Sequence, residues 1–314
     1  MRIVFMGTPE FAATALETLI GEKFNVVGVI TVPDKPAGRG QQLHESAVKK
    51  TALQHQIPVL QPEKLKDPVF IETLKSWNAD LQIVVAFRML PEIVWAMPPK
   101  GTFNLHASLL PQYRGAAPIN HAIINGEKET GVTTFFITHD IDTGNIIFQE
   151  RIAIGETENA GSLHDRMMHT GAELICRTVR AIEAGNAPSM PQQQFIKEDL
   201  KPAPKIFKES CRIDWQKGSL TLYNIIRGLS PYPAAWTEIT NDVKTLNLKI
   251  FEAEPSVISH TLIPGTIVSD GKRTLKIATS DGFITLFSLQ LEGKKRMPVE
   301  DFLRGFQGIH EFRC

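Results

Sequence analysis

The chain has 314 residues, 34 basic and 34 acidic side chains, a net charge of zero and 42% hydrophobic residues. That is about twice the usual single-domain length, so two domains with real cores are expected. Disorder, which needs low hydrophobicity and a large net charge, is excluded, and so is a fibrous composition.

In chain order, Ile3–Met6 is a short apolar run, stopped by Gly7-Thr8-Pro9 and followed by a helical pattern over Phe11–Ile20. A dinucleotide fingerprint needs G-x-G-x-x-G. Here Gly7 stands alone, Pro9 removes an N–H, and no Walker A segment follows, so no nicotinamide cofactor is expected. A sharp turn lining a substrate cleft is the expected use of these residues. Val26–Thr31 and Asp80–Ala86 are further apolar runs, while Ala47–His55 and Pro68–Trp77 fit helices. Continuous β-branched runs separated by helices predict an open, mostly parallel α/β sheet with ligands beyond the C-terminal strand ends. Phe103–His106, Thr133–Ile137 and Ile146–Ile152 read as strands, and Leu163–Ala184 as a long amphipathic helix.

Residues 1–189 therefore read as one domain and the polar, proline-rich 190–206 as a linker. In residues 207–314 a short helix, Ser219–Leu229, precedes apolar runs at Ala235–Ile239, Thr245–Ala253, Gly265–Val268, Thr274–Ala278 and Phe283–Leu289. Short strands with Gly, Asn and Asp turns predict a small β-barrel or sandwich. Lys201–Cys314 carries 10 Lys and 6 Arg against 12 acidic residues, a net of +4, which leaves −4 on the rest. This asymmetry suits a module that holds a polyanion, or is ordinary surface variation.

Cys176, Cys211 and Cys314 are too widely spaced for a disulfide framework or a Cys-rich metal site. The opening MRIVFMGTPEF has no extended apolar region, and no stretch reaches the length of a membrane span. A soluble, cytoplasmic, monomeric protein without a metal is expected.

The chemically informative stretch is GTFNLHASLLPQYRGAAP, residues 101–118. A strand ending Asn104-Leu105-His106 puts Asn104 and His106 on one face, because strand side chains repeat every two residues. A histidine accepts or donates a proton near neutral pH, and a neighbouring amide stabilises an oxygen that becomes negative. Asp142, in HDIDTG, is the third candidate. It either steadies His106 or fixes its own loop as an Asx turn. Attack of an amine on a formamide-like donor gives a tetrahedral centre with a developing oxyanion. Asn104 would stabilise that oxygen, and His106, or water ordered by Asp142, would move the protons. The pair is also compatible with a purely structural role.

Several separated pieces resemble the methionyl-tRNA formyltransferase family: FMGTPEFA (5–12), PDKPAGRG (33–40), NLHASLLPQYRGAAPI (104–119), ETGVTTF (129–135) and DTGNI (142–146). IDW (213–215), SPYPAAW (230–236) and EGKKRM (292–297) extend the resemblance over nearly the whole chain. It implies a Rossmann-like formyltransferase domain followed by an OB-like barrel that binds tRNA. The implied reaction moves a formyl group from 10-formyltetrahydrofolate to the amino group of methionyl initiator tRNA. By resemblance, Asn104, His106 and Asp142 are the catalytic trio. Ser108, Leu109, Leu110 and Pro111 border the folate, and Val85, Ala86, Phe87, Arg88, Met89 and Leu90 line the pterin pocket. Loop 33–42, with Lys35 and Arg39, enters the acceptor arm, and Arg114, Lys294, Lys295 and Arg296 also meet RNA.

This chain has Gln41-Gln42 where many relatives carry a basic residue, and Phe87-Arg88 where they commonly carry Tyr-Gly. Two alternatives compete: the same chemistry on a nucleotide sugar or a ribotide, and a non-catalytic RNA-binding protein with a vestigial cleft. Convergence of Asn104, His106 and Asp142 on one pocket would favour an enzyme.

Overall fold

The computed structural model describes residues 1–37 and 42–314, which form two compact units. The first comprises 1–115, 130–153 and 164–202; the second comprises 116–129, 154–163 and 203–314. The chain thus passes between the units more than once.

The first unit holds β1 (Arg2–Gly7), α1 (Glu10–Gly21), β2 (Asn25–Ile30), β3 (Lys35–Ala37), β4 (Gln42–His44) and α2 (Ala47–Gln54). It continues with β5 (Val59–Leu60), α3 (Pro68–Ser76), β6 (Leu81–Val85), α4 (Glu92–Trp95) and β7 (Thr102–His106). After α5 (Pro118–Ile124), which belongs to the second unit, come β8 (Glu129–Phe136), β9 (Ile146–Ala153) and α6 (Ala160–Glu183).

Its seven-stranded sheet runs β5-β2-β1-β6-β7-β8-β9. Neighbours from β5 to β7 are parallel, and β7–β8 is antiparallel. All five residues of β6 and five of six in β1 are buried, as near-continuous apolar strands require when both faces are covered. Phe5 and Phe103 are fully buried, each contributing about 1.5–3 kcal/mol. Strand order reverses between β1 and β6, so a crevice opens at their C-terminal ends. There the Gly7 turn lies so close that an added Cβ would sit 2.9 Å from the Val85 carbonyl. Ser46 caps α2 through the Lys49 amide, and Asp67 caps α3 through the Phe70 amide.

The second unit contains α5, α7 (Ser219–Leu229), β10 (Ala235–Thr240), β11 (Thr245–Val257), β12 (Ile267–Ser269), β13 (Leu275–Ala278), β14 (Gly282–Leu291), β15 (Met297–Pro298) and α8 (Val299–Gly305). Its antiparallel sheet runs β10-β11-β14-β13-β12, with β15 beside β14. The two end strands are stitched by the chain's last residues: Arg313 bridges both Thr240, at the end of β10, and Thr266, just before β12. Pairing both edges makes a barrel-like sheet rather than a two-sheet sandwich. Leu222, Ile239, Ile250, Ile277, Ile284 and Leu289 fill its core. In the same unit, α5 is tied to α7 by the Asn120 side chain, which donates to the Gly228 carbonyl at 2.8 Å.

Strands β3, β4, β5 and β15 and helices α4, α5 and α8 go beyond the sequence reading. They run from two residues, in β5 and β15, to seven, in α5 and α8, too short for a period to be read.

Two stability predictions follow from this packing. An added Cβ at Gly28 of β2 would lie 2.3 Å from the Trp77 ring, so Gly28→Ala is expected to destabilise the first unit by about 1–3 kcal/mol, read as a lowered melting temperature. In the β12–β13 turn, Asp270 Oδ1 accepts the amides of Lys272, Arg273 and Thr274, which hold its pKa down at about 2 against an ordinary 3.8. A depressed carboxylate stabilises the fold above 3.8 and loses that contribution as pH falls towards about 2. Melting curves of Asp270→Asn should therefore decline less steeply over that window than those of the parent.

Candidate active site

Strand β7 ends at the mouth of the crevice. Of its five residues Asn104 alone is partly exposed, and it pairs in register with Val84 of β6 and Phe135 of β8. Alternation puts Asn104 and His106 on one face. Phe103 and Leu105 take the other, where Leu105 packs on Gly171 of α6. Among the described residues the Asn104 carboxamide has no hydrogen-bond partner, so its N–H and C=O are available to a ligand.

His106 is 6% exposed, and its ring is hydrogen-bonded at one nitrogen and faces a carboxylate with the other. Nε2 lies 2.9 Å from the Tyr113 carbonyl, which can only accept, so Nε2 carries a proton and donates it. In the neutral ring the lone pair is then on Nδ1. That nitrogen faces Asp142 Oδ2 at 3.7 Å. This is too long for a hydrogen bond, so the carboxylate acts on the ring through its field, while the Tyr113 carbonyl sets the ring's direction.

Asp142 is not engaged in an Asx turn. Its Oδ2 accepts the Gly115 amide at 3.0 Å, from a segment 27 residues earlier. Asp142 and Tyr113 both take left-handed conformations, with φ of 54° and 60°. Behind this loop Gly144 lies where a Cβ would overlap the Phe136 carbonyl, at 1.6 Å. The loop is also gripped by Gln192, whose Nε2 donates to the carbonyls of Asp142 and Gly144 at 2.8 and 2.9 Å. Gln192, read from sequence as part of a linker, is a residue the sequence reasoning missed. Its one signal is a glutamine run next to prolines, which reads equally well as solvent-facing polarity.

The segments expected to border a folate are placed as follows. Ser108 is fully buried, and its hydroxyl donates to the Gln112 carbonyl at 2.6 Å. Leu110 is in a core cluster with Phe135 and Ile146, and Pro111 is buried. Leu109 is half-buried, lying across Gly131 of β8. Within this run Leu109 is therefore the one side chain left partly exposed, while Ser108, Leu110 and Pro111 are buried.

Val85 ends β6 buried, and the next residue, Ala86, is exposed with φ of 47°. Phe87 is half-buried and Met89 is 75% exposed. Met89 and Leu90, with Leu65, Pro91 and Ile93 and the charged Lys66 and Glu92, line a mainly apolar hollow of about 550 Å³. The Arg88 guanidinium turns away, donating to the Pro62 and Glu63 carbonyls at 2.7 and 3.0 Å, where burial lowers its pKa. Arg88 thus staples this turn to the chain after β5.

Of the residues expected to meet RNA, Arg39 lies outside the described residues, as does the middle of loop 33–42. Lys35 is exposed in β3 and pairs with His44 of β4. The base of this hairpin is braced by Lys49, which pairs with Asp34 and Glu45, and by Gln61, which donates to Asp34 and to the Val32 carbonyl. Arg114 donates through Nε and Nη2 to Gln192 Oε1, at 3.1 and 2.6 Å. In the second unit Lys294 and Lys295 are exposed. Arg296 is folded onto the sheet, bonded to Ser288 and Glu252 with its guanidinium 4.6 Å from the Phe251 ring centre. Trp215 is buried with its N–H on Thr237, and Trp236 is partly exposed beneath Lys208 and Arg212.

Residues 1–179 match the formyl transferase family and residues 205–307 its C-terminal domain. The methionyl-tRNA formyltransferase of Bacteroides fragilis is 58% identical over 315 aligned positions, covering 100% of this chain and 97% of that one. That of Flavobacterium johnsoniae is 55% identical, covering 97% and 96%. The structure of HypX from Aquifex aeolicus in complex with tetrahydrofolic acid superposes with a TM-score of 0.66 at 18% identity, over 98% of this chain and 48% of that one, so this chain spans about half of HypX. WlaRD, a sugar 3N-formyl transferase, superposes with a TM-score of 0.66 at 21% identity, over 94% and 99%. These two likenesses establish the fold. Identity of 58% across the full length goes further, and the chain belongs to the methionyl-tRNA formyltransferase family.

Proposed function

We infer that this chain transfers a formyl group from 10-formyltetrahydrofolate to the amino group of methionyl initiator tRNA. The observation that carries the chemistry is local. A partly exposed amide and a backbone-oriented imidazole share one face at the end of β7, with a carboxylate 3.7 Å from the ring. The acceptor rests on full-length relatives that bear this activity in their names.

The residues fit a folate. The peptide groups of the exposed Ala86 suit a pterin's hydrogen-bonding edge, and the mainly apolar hollow beside Met89 and Leu90 suits an aromatic ring. When bound, the folate supplies the formyl carbon. During direct attack by the amine, Asn104 donates an N–H to the formyl oxygen as negative charge grows there. His106 Nδ1, the ring nitrogen left unprotonated by the bond to the Tyr113 carbonyl, takes the proton released by the amine and can return it to the departing nitrogen. Asp142 stabilises the imidazolium formed in between. Leu109 and the Ala86–Leu90 turn hold the donor.

The tRNA is held by cations: the exposed Lys35, Lys294 and Lys295, together with Arg39, which lies outside the described residues. Such contacts give affinity for phosphate rather than choice of sequence. In this reading Arg296 acts by bracing the basic turn, because its guanidinium is already paired. The enzyme works as a monomer in the cytoplasm, where three free, widely spaced cysteines are compatible with a reducing environment.

The reading is tested by offering the protein 10-formyltetrahydrofolate with charged initiator tRNA, an amino sugar nucleotide or an amino ribotide. Formylation of the sugar or ribotide with the charged tRNA untouched would sink it. His106→Ala should fold normally and slow single-turnover transfer by at least about 100-fold, and Asn104→Ala should cost on the order of 100-fold. Near-parental rates would remove these assignments. Replacing both Lys294 and Lys295 by Ala should weaken tRNA binding and reduce its dependence on log salt by about one to two units. An unchanged slope would place the RNA elsewhere.

A further inference from the structure

We propose that Gln192, acting with Arg114, is a positioning residue that holds Asp142 beside His106; the proposal rests on the transferase reading above. The carboxamide of Gln192 is 1% exposed and fully used. Its nitrogen donates to the Asp142 and Gly144 carbonyls, and its oxygen accepts both Nε and Nη2 of Arg114. Arg114 lies between the two residues that contact the pair: Tyr113, whose carbonyl receives His106 Nε2, and Gly115, whose amide holds Asp142 Oδ2. A ring of hydrogen bonds therefore runs from Asp142 through Gly115 and Arg114 to Gln192 and back to the Asp142 backbone.

Gln192 is itself anchored. Two residues earlier, Met190 exchanges both backbone hydrogen bonds with Ile146, at 2.8 and 2.9 Å. Chain 190–192 thus lies as a strap along the start of β9, and it delivers the glutamine to the Asp142 loop. Of the two bonds that Gln192 donates, the one to the Gly144 carbonyl is buried and the one to the Asp142 carbonyl partly so, and a buried carbonyl left unpaired is costly. This gives the loop a single favoured position. An amide is the group the site requires: it must donate to two carbonyls and accept from a cation at once, which neither a carboxylate nor an aliphatic side chain can do.

The competing account makes Arg114 a direct phosphate contact. The two differ in where the damage appears. A positioning bridge changes the saturated rate, whereas a phosphate contact changes KM for tRNA and the salt slope.

The test uses the full chain with Gln192→Glu, Gln192→Ala, Arg114→Lys and Arg114→Met. Gln192→Glu is nearly isosteric and keeps the oxygens that receive Arg114, but has no N–H for the two carbonyls, so it tests the bridge even if Gln192→Ala does not fold. In Gln192→Glu the saturated single-turnover rate should fall about tenfold or more, with KM for charged tRNA within about twofold of the parent. Arg114→Lys, which retains a donor for Gln192, should keep more of that rate than Arg114→Met. Hydrogen exchange at the Gly115 amide, followed by mass spectrometry, should quicken about tenfold in Gln192→Glu.

A Gly115 amide as protected as in the parent would overturn the bridge. So would Arg114→Met raising KM and lowering the salt slope at an intact saturated rate. The exchange measurement needs no acceptor. If the parent fails to formylate charged tRNA while Gly115 responds to Gln192→Glu, the transferase reading falls and the bridge stands.

Discussion

The site depends on three consecutive backbone units, Tyr113 to Gly115. The Tyr113 carbonyl directs the His106 ring and the Gly115 amide holds the Asp142 carboxylate, so one short segment sets both partners of the pair. Its conformation is unusual: Tyr113 has φ of 60° and Gly115 of 125°. A left-handed conformation at a residue with a large side chain costs on the order of 1 kcal/mol and persists where the surroundings determine it. Here they do. Ser108 donates to the Gln112 carbonyl, the Tyr113 amide donates to the Lys201 carbonyl, and Thr133 donates to the Ser108 carbonyl that begins the loop.

This explains which parts of the site are legible in the chain and which are not. The period-2 placement of Asn104 and His106 is local, and strand alternation delivers it without knowledge of the rest of the fold. The continuous apolar runs of β1, β2 and β6 are equally local, and with them the parallel sheet and its crevice. The partner of Asp142 is 27 residues away and that of Gln192 is 50, and both contacts end on backbone atoms. Backbone atoms carry no residue identity, so no motif announces them. The segment around Gln192 looks like a linker because Gln193 and Gln194 are exposed, while Gln192 alone of the three is buried, on main-chain carbonyls of a distant loop.

The arginines show the same limit from another side. Arg88, Arg114 and Arg296 are indistinguishable in sequence from solvent-facing or phosphate-binding cations. Each commits its guanidinium to other groups of the chain: Arg88 to two carbonyls, Arg114 to Gln192, and Arg296, at the surface, to Ser288 and Glu252. The planar guanidinium has several donors in a fixed fork, so it can join loops that no hydrophobic contact would join. Lysines lack that geometry. Lys35, Lys294 and Lys295 remain exposed, and a compact, hydrated charge on a flexible stem suits contact with a polyanion.

Chemistry and acceptor choice are thus built from different materials. The groups that orient the imidazole and the carboxylate are buried, short-range and mutually dependent, and they are all found within the first unit. Among the described residues, the cations assigned to RNA, Lys35, Lys294 and Lys295, are exposed, and none of the three takes part in that network. Exchanging surface cations leaves the Tyr113 carbonyl and the Gly115 amide where they are, so the acceptor can change while the transfer geometry stays. A fold shared with a sugar 3N-formyl transferase at 21% identity is what such a division permits. On the proposed assignments the division also bounds what each substitution can do: loss of a lysine would weaken capture of the RNA, whereas loss of a buried bond around residues 113 to 115 would disturb the atoms proposed to move the proton.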